Sequence, residues 1–377
     1  MCGMLTRRNR ENDNHMRTGI AHLPLHGGKA PRYLFQRMVR LARELSLVIV
    51  DEYGSLELMR RLANPYWFQA FGCVLGYDWH SSGVTTVVCG ALKEAWKPIS
   101  FDMGLFIAGG KGGTSRKTPA EVEALAPELK VSPAPLVYAG RIAAKVDNNA
   151  LQDGYQLYHH SFIFDRAGRW AVVQQGMNEA NRWARRYHWL SETVADFVDE
   201  PHAGIITNAL AQPLNMVAHE SDAARRASVE LALEKPWKNL AELKRLQRLE
   251  LPAHHQVLLQ DINPDRIAGT LESAYEAQPA DFEHLLGARN VGPKTIRALA
   301  LLSEIVHGAK PSFRDPARFT FAHGGKDGHP YPVDRSTYDR SIQILHQAVE
   351  HARLGDREKM EAIKRLSQTS EQKEVAS

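Results

Sequence analysis

Cysteine is scarce in this chain: Cys2, Cys73 and Cys89 are the only three among 377 residues. Three scattered thiols build neither a disulfide framework nor a thiolate zinc site. Long apolar runs are missing too, since no stretch of about eighteen consecutive apolar residues occurs, and no membrane partner is expected. An excess of one charge is likewise absent. Lys and Arg number 47 against 43 Asp and Glu, for a net charge of +4, so bulk charge singles out neither nucleic acid nor a lipid surface. The opening Met1-Cys2-Gly3-Met4-Leu5-Thr6-Arg7-Arg8 lacks the apolar core of a secretory signal, and a cytoplasmic location is expected. What is present is ordinary globular composition, 44% hydrophobic and 24% charged. A chain of this length predicts two domains, because single cores seldom grow beyond about 250–300 residues.

Periodicity places the elements. Residues 31–62 predict two amphipathic helices, the first with Leu34, Met38, Leu41, Leu45 and Val48 on one stripe. Residues 67–76 are apolar on nearly all sides, as in a buried helix. Short β-prone runs lie at 84–89 and 99–108, and 156–164 with 169–175 reads as a hairpin across Asp165-Arg166-Ala167-Gly168. After Asn178 the strand signal fades and helical spacing dominates to Leu354. The expected class is α+β: a polar leader at 1–15, a mixed α+β domain at 16–190, a mainly helical domain at 191–355 and a polar tail at 356–377.

The most distinctive segment lies in the helical part. Phe282, Leu285 and Leu286 share one face; Val291-Gly292-Pro293 breaks the chain; Ile296, Leu299, Ala300, Leu302, Ser303 and Val306 resume helical spacing. Such a turn aims backbone N–H groups toward the start of its second helix, where the dipole favours an anion. Lys294 and Arg297 add charge there. The segment resembles the helix-hairpin-helix motif of DNA-repair and recombination proteins, which implies that Val291, Gly292, Lys294 and Arg297 meet a nucleic-acid backbone.

Other basic clusters are candidates for the same partner. Gly109-Gly110-Lys111-Gly112-Gly113-Thr114-Ser115-Arg116-Lys117-Thr118 follows a predicted strand and precedes a helix start. It is not a phosphate loop of nucleotide-hydrolysing enzymes, because Gly112 follows Lys111 where Ser or Thr is required. Lys111, Arg116 and Lys117 remain as a basic loop. Arg182, Arg185 and Arg186 interleave with Trp183, Tyr187 and Trp189. That mixture reads either as a stacking platform for unpaired bases or as a helix burying Trp183 and Tyr187.

Polar insertions supply metal-ligand types. Asp78, His80, Asp153 and His159 are candidate ligands for a divalent ion such as magnesium or manganese, activating water for phosphodiester cleavage. Adjacent His159 and His160 point to opposite faces of a strand, so at most one serves a given site. Gln174 and Gln175 read as a turn cap or as contacts to a base edge. Residues 321–335 form a Gly- and Pro-rich loop ending in Asp334, which opens the next helix as its N-cap.

Two resemblances add to these readings. Thr18-Gly19-Ile20-Ala21-His22-Leu23-Pro24-Leu25-His26-Gly27-Gly28-Lys29-Ala30-Pro31, with 76–91, 108–118, 153–178 and 322–334, resembles the domain of unknown function 763 family of archaea and bacteria. That family implies no reaction. Residues from about 280 to 350 resemble base-excision glycosylases of the helix-hairpin-helix superfamily. The resemblance implies Lys294 as a nucleophile on the sugar and Asp334 as the carboxylate stabilising its developing charge. The separation of these two is wider here, and Ser336 stands where those enzymes carry a His. The expectation is a DNA-binding protein of repair or processing, with RNA as the other nucleic acid. The enzyme readings are a glycosylase/lyase at Lys294 and Asp334, or a metal-dependent nuclease in the N-terminal domain. The alternative is a non-catalytic DNA- or RNA-binding module.

Overall fold

A computed structural model describes residues 31–77, 83–207, 211–251, 253–260, 262–317, 319–320 and 335–374. Helices α1 (Arg32–Tyr53) and α2 (Ser55–Ala63) are the two amphipathic helices the stripe predicts, separated at Gly54, whose φ of 85° no branched residue adopts easily. Helix α3 (Pro65–Val74) is buried nearly all round. Asn64 caps it by accepting from the backbone N–H of Tyr66 and Trp67, and Pro65 fills its first turn.

Helix α4 (Gly83–Trp96) corrects the β reading of 84–89. Its β-branched run favours a strand in isolation, yet Val84, Val88, Ala91, Leu92 and Ala95 recur at helical spacing and are buried. Gly72 lets α3 approach, since a Cβ there would meet Val84 Cγ2 at 2.5 Å. A short helix, α5 (Ser100–Met103), precedes β1 (Leu105–Lys111), so only the second half of 99–108 is a strand. Helices α6 (Thr118–Ala124) and α7 (Pro133–Lys145) follow, and α7 runs directly into a π-helical turn over Val146–Ala150.

The sheet then forms. The short β2 (Leu151–Gln152) pairs with β7 (Leu214–Asn215) in a small ladder of its own. Strands β3 (Gln156–Asp165) and β4 (Trp170–Asn178) are the expected hairpin, with Phe164 opposite Trp170. Its turn is held by Asp165, which accepts from the N–H groups of Ala167 and Arg169, while Gly168 takes φ 85°. The strand signal does not end there. Residues 183–190 are β5 (Trp183–Leu190), followed by β6 (Gly204–Thr207). This corrects the helix alternative for 182–189 and the expectation that the strand signal fades after Asn178. Adjacent Arg185-Arg186 disrupts the period-two pattern, and the strand is set instead by pairing with β4, Gln174 opposite Tyr187. The main sheet runs β1-β3-β4-β5-β6 antiparallel, with β8 (Phe319–Thr320) added parallel at the edge.

The remaining helices are α8 (Asp222–Leu233), α9 (Pro236–Leu246), α10 (Ala253–Leu259), α11 (Pro264–Ala277), α12 (Phe282–Gly287), α13 (Pro293–His307), α14 (Arg335–His351) and α15 (Asp356–Glu374). Helices α12 and α13 flank the Gly-Pro break, with Asn290 at φ 64° in the turn. The segment 356–377, expected as a polar tail, carries α15, whose Ala362 and Leu366 are buried. Among the described residues no helix is long and apolar enough to cross a membrane.

Helices cover both sheet faces, and the faces alternate residue by residue. Ile163, Ala171, Val173 and Leu190 join α1–α4, α14 and α15 in one core. Phe162, Phe164, Val172, Tyr187 and Trp189 join α7, α8 and α10–α13 in the other. Toward the far end of β3, β4 and β5 the inward residues turn polar on both faces: His159, Gln175, Arg186 and His188 on the first, His160, Gln174 and Arg185 on the second.

Candidate active site: a basic cleft backed by a buried polar chain

The last turns of β1 create the cleft. Gly109 has φ 85°, and a Cβ there would lie 2.3 Å from the His160 carbonyl oxygen and 2.5 Å from Thr118 Oγ1. Only glycine lets β1, β3 and α6 meet so closely. The junction is braced by Glu121, which accepts from the Gly109 N–H at 2.8 Å and pairs with Lys93 at 2.6 Å. Lys93 also donates to the Gly109 carbonyl. The glycine-rich loop then coils into a 3-10 turn, Gly112–Lys117, and enters α6.

Helix α7 forms the opposite wall. Gly140 brings it onto the Phe162 ring, and Val137, Arg141 and Ala144 face the cleft, a cavity of about 290 Å³. Arg116, Tyr158, His159 and His160 complete the lining. Arg116 and Arg141 of the lining are exposed, as are Lys111 and Lys117 of the adjoining loop, and none of the four forms an ion pair among the described residues. Lys111 lies over the Tyr158 ring, 5.9 Å from its centroid. Lys145 differs. Its ammonium donates to the carbonyls of Leu286, Gly287 and Ala288, so all three of its N–H bonds serve the C-terminus of α12. Burial lowers its pKa, aided by Arg141.

Behind the cleft lies a chain of buried polar groups. His160 Nδ1 is 2.8 Å from Gln174 Oε1. The Gln174 amide nitrogen donates to the Ala143 carbonyl and to the Asp147 carboxylate. The π-helical turn after α7 puts Asp147 beneath the sheet, where it also accepts from Trp189 Nε1 at 3.0 Å and pairs with His202. These bonds fix the amide: its nitrogen faces two oxygens, so its oxygen faces His160 and Nδ1 must carry the proton. Nε2 is then the unprotonated nitrogen of a ring that lines the cleft. Burial lowers the His160 pKa, opposed by Gln174 and Asp147.

The sequence-predicted residues fall in several places. Arg116 lines the cleft, and Lys111 and Lys117 stand beside it on the same loop; His159 reaches the cleft from β3, but not with its ring turned the way His160 turns. That ring lies on the opposite sheet face from His160, bonded through Nε2 to Ser161 Oγ at 3.0 Å. Burial pushes its pKa down to about 3, with His160 and Lys111 adding to the effect. Asp153 is the counterion of Arg185 at 2.7 Å and also accepts from Tyr187 Oη and the Tyr155 N–H. It sits on the Tyr187 side of the sheet, away from His159. Asp78, His80 and Asp334 lie outside the described residues. Among the described residues no group of three or more His, Cys, Asp or Glu is arranged to hold a metal ion.

Lys294 is exposed in the first turn of α13, and Gly292 precedes it as N-cap. Val291 is buried. Arg297 is drawn inward, donating to Gln152 Oε1 at 2.9 Å and to the Gln260 carbonyl. Arg182 stays exposed, at φ 59° in the β4–β5 turn. Arg185 and Arg186, expected to touch nucleic acid, are both 0% exposed and are corrected to core residues. Arg185 joins Asp153 to Asp315. Arg186 stacks on Phe68 and donates to His188 and Gln69, and burial lowers its pKa to about 9.

Sequence reading missed His160, Gln174, Asp147, Arg141 and Lys145 as members of one site. The alternation of His160, Phe162 and Phe164 along β3 was the available signal for the first; nothing local marked Asp147. No curated protein and no solved structure matches the chain. A family model described as protein of unknown function (DUF763) matches residues 19–333, which takes in every strand and both walls of the cleft, and the chain therefore belongs to that family.

Proposed function

We propose that the protein binds nucleic acid, DNA before RNA, along the lip of this cleft, with one backbone phosphate lodged beside His160. The carrying observation is that Arg116 and Arg141 line one cavity, with Lys111 over the lining Tyr158 and Lys117 next to Arg116 in the same 3-10 turn, and no carboxylate forms an ion pair with any of them among the described residues. Exposed cations in folded proteins commonly meet acidic neighbours, as Arg60 meets Glu192 here; a group left without them sets up a positive potential for an anion. The turn into α13 extends the same surface, because Lys145 and Gln152, at the two ends of the π-helical segment, hold the backbone of α12 and α13. Lys294 then serves as a further phosphate contact. Its exposed position suits that role better than nucleophilic attack, for which a lysine is partly desolvated. Repair or processing of DNA is the setting this reading suggests.

Fluorescence anisotropy with labelled duplex and single-stranded DNA tests it. Phosphate contacts by these four cations and Lys294 predict a slope of log affinity against log salt of roughly −4.5 on duplex. Arg116→Ala or Arg141→Ala should each reduce the slope by about 1 and weaken binding to all sequences alike. Affinity that does not change with salt, or that survives loss of both arginines, refutes the proposal.

A further inference from the structure

We infer that His160 is the general base of the cleft, accepting through Nε2 the proton of the hydroxyl that attacks a phosphodiester bound there. The inference rests on the phosphate-binding reading above. It stands first on geometry. The ring lines the cleft, its Nδ1 is bonded to Gln174, and Gln174 cannot turn because its amide nitrogen serves Ala143 and Asp147. Asp147 is held in turn by Trp189 and His202. The base is thus oriented from β4, β5, the π-helical turn and the segment before β6. A single loose side chain would need no such bracing, and Gln174 and Asp147 are positioning residues for it.

The surroundings set the protonation state. Arg116 of the 3-10 turn and Arg141 and Lys145 of α7 share the cleft, His159 is adjacent on β3, and Asp147 acts through Gln174. Burial favours the neutral imidazole and outweighs the opposing pull of Gln174 and Asp147, so the lone pair is available at neutral pH.

The step balances without a further reactant. A water, or the 2′-hydroxyl of a ribose, gives its proton to Nε2 as its oxygen bonds to phosphorus. The ester bond from phosphorus to the leaving oxygen breaks, and that oxygen takes a proton from bulk water. Arg116 and Arg141 offset the charge that grows on the non-bridging oxygens. The imidazolium then releases its proton to solvent.

The test uses the full-length protein with end-labelled single-stranded DNA and RNA of one sequence, in magnesium buffer from pH 5 to 9. His160→Ala should lower cleavage about 100- to 10,000-fold while changing affinity less than about twofold, and added imidazole should restore part of the rate. The wild-type rate should rise with pH and level off below the ordinary histidine value. Cutting of both strands assigns water as nucleophile, and cutting of RNA alone assigns the ribose hydroxyl. Salt-dependent binding without cutting of either strand, or cutting that His160→Ala leaves intact, overturns the base and leaves the binding reading standing. Absence of salt-dependent binding removes both. Since the ring also stacks on Phe162, His160→Asn is measured alongside. If neither variant folds, the wild-type pH profile decides, and a rate with no step below pH 7 overturns the inference.

Discussion

Replacing Asp147 by alanine should cost far more than replacing it by asparagine, and the gap follows from which donors lose their acceptor. The carboxylate is fully buried and accepts from Gln174 Nε2, from Trp189 Nε1 at 3.0 Å and from His202 Nε2. In Asp147→Ala the Trp189 and His202 N–H groups are left without a partner, while Gln174 keeps the Ala143 carbonyl at 3.1 Å. At about 1–3 kcal/mol for each orphaned buried donor, the alanine variant loses about 2–6 kcal/mol. Asparagine keeps one oxygen for Gln174 and Trp189. Its amide N–H can meet His202 once that imidazole takes the tautomer with Nε2 as acceptor, so the loss is about 1–2 kcal/mol. Urea unfolding followed by tryptophan fluorescence reads both. Equal destabilisation by the two substitutions, or an alanine variant within about 0.5 kcal/mol of the wild type, would refute the buried chain as described.

Gly109→Ala places a methyl group 2.3 Å from a backbone oxygen at φ 85° and should cost about 2–4 kcal/mol, whereas Gly113→Ala, with open space around it, should be nearly neutral. Thermal unfolding compares the pair, and similar melting shifts would count against the close approach of β1 to β3. His159, held at about 3 against an ordinary 6.5, refuses a proton that the unfolded chain takes up. Its contribution is therefore complete above pH 6.5 and is lost as pH falls toward 3, by about 2 kcal/mol at pH 5. His159→Gln should narrow the difference in urea midpoint between pH 7.5 and 5 (both about one and a half units from 6.5 or less); an unchanged difference would place the acid sensitivity elsewhere. Lys145→Ala uncovers the carbonyls of Leu286, Gly287 and Ala288 and should destabilise that turn by about 1–2 kcal/mol. Hydrogen exchange at the amides of α12 and the following turn checks it, and unchanged protection would mean that Lys145 caps nothing.

Elements whose side chains obey a single period were legible in the sequence. The stripe of Met38, Leu41 and Leu45 gives α1, and the flanked hairpin at Asp165-Arg166-Ala167-Gly168 gives β3 and β4. Where two signals competed, tertiary packing decided. Helix α4 contains Val84-Thr85-Thr86-Val87-Val88, a strand by propensity, but Gly72 of α3 offers it a close helical partner. Strand β5 hid its period because a strand with polar side chains buried on both faces does not alternate apolar with polar. Arg185 and Arg186 look like surface cations by residue type. Their burial depends on Asp153 and Asp315 for one, and on Phe68, Gln69 and His188 for the other, and of these only His188 is close in sequence.

The cleft was legible in its cations and hidden in its polar chain, for a physical reason. Exposed Lys111, Arg116 and Lys117 announce themselves as a cluster because one loop carries them. The orientation of His160 depends on an amide from β4, and that amide depends on a carboxylate from a π-helical turn. Each bond constrains only the next group, so no local motif arises. The extra residue of the π turn is what swings Asp147 beneath the sheet instead of leaving it on the α7 surface. A buried carboxylate with three donors is also costly to assemble unless all are satisfied together. The same chain that stabilises the sheet interior also fixes the His160 ring at a cleft lined by Arg116 and Arg141, which is the arrangement the proposed general base requires.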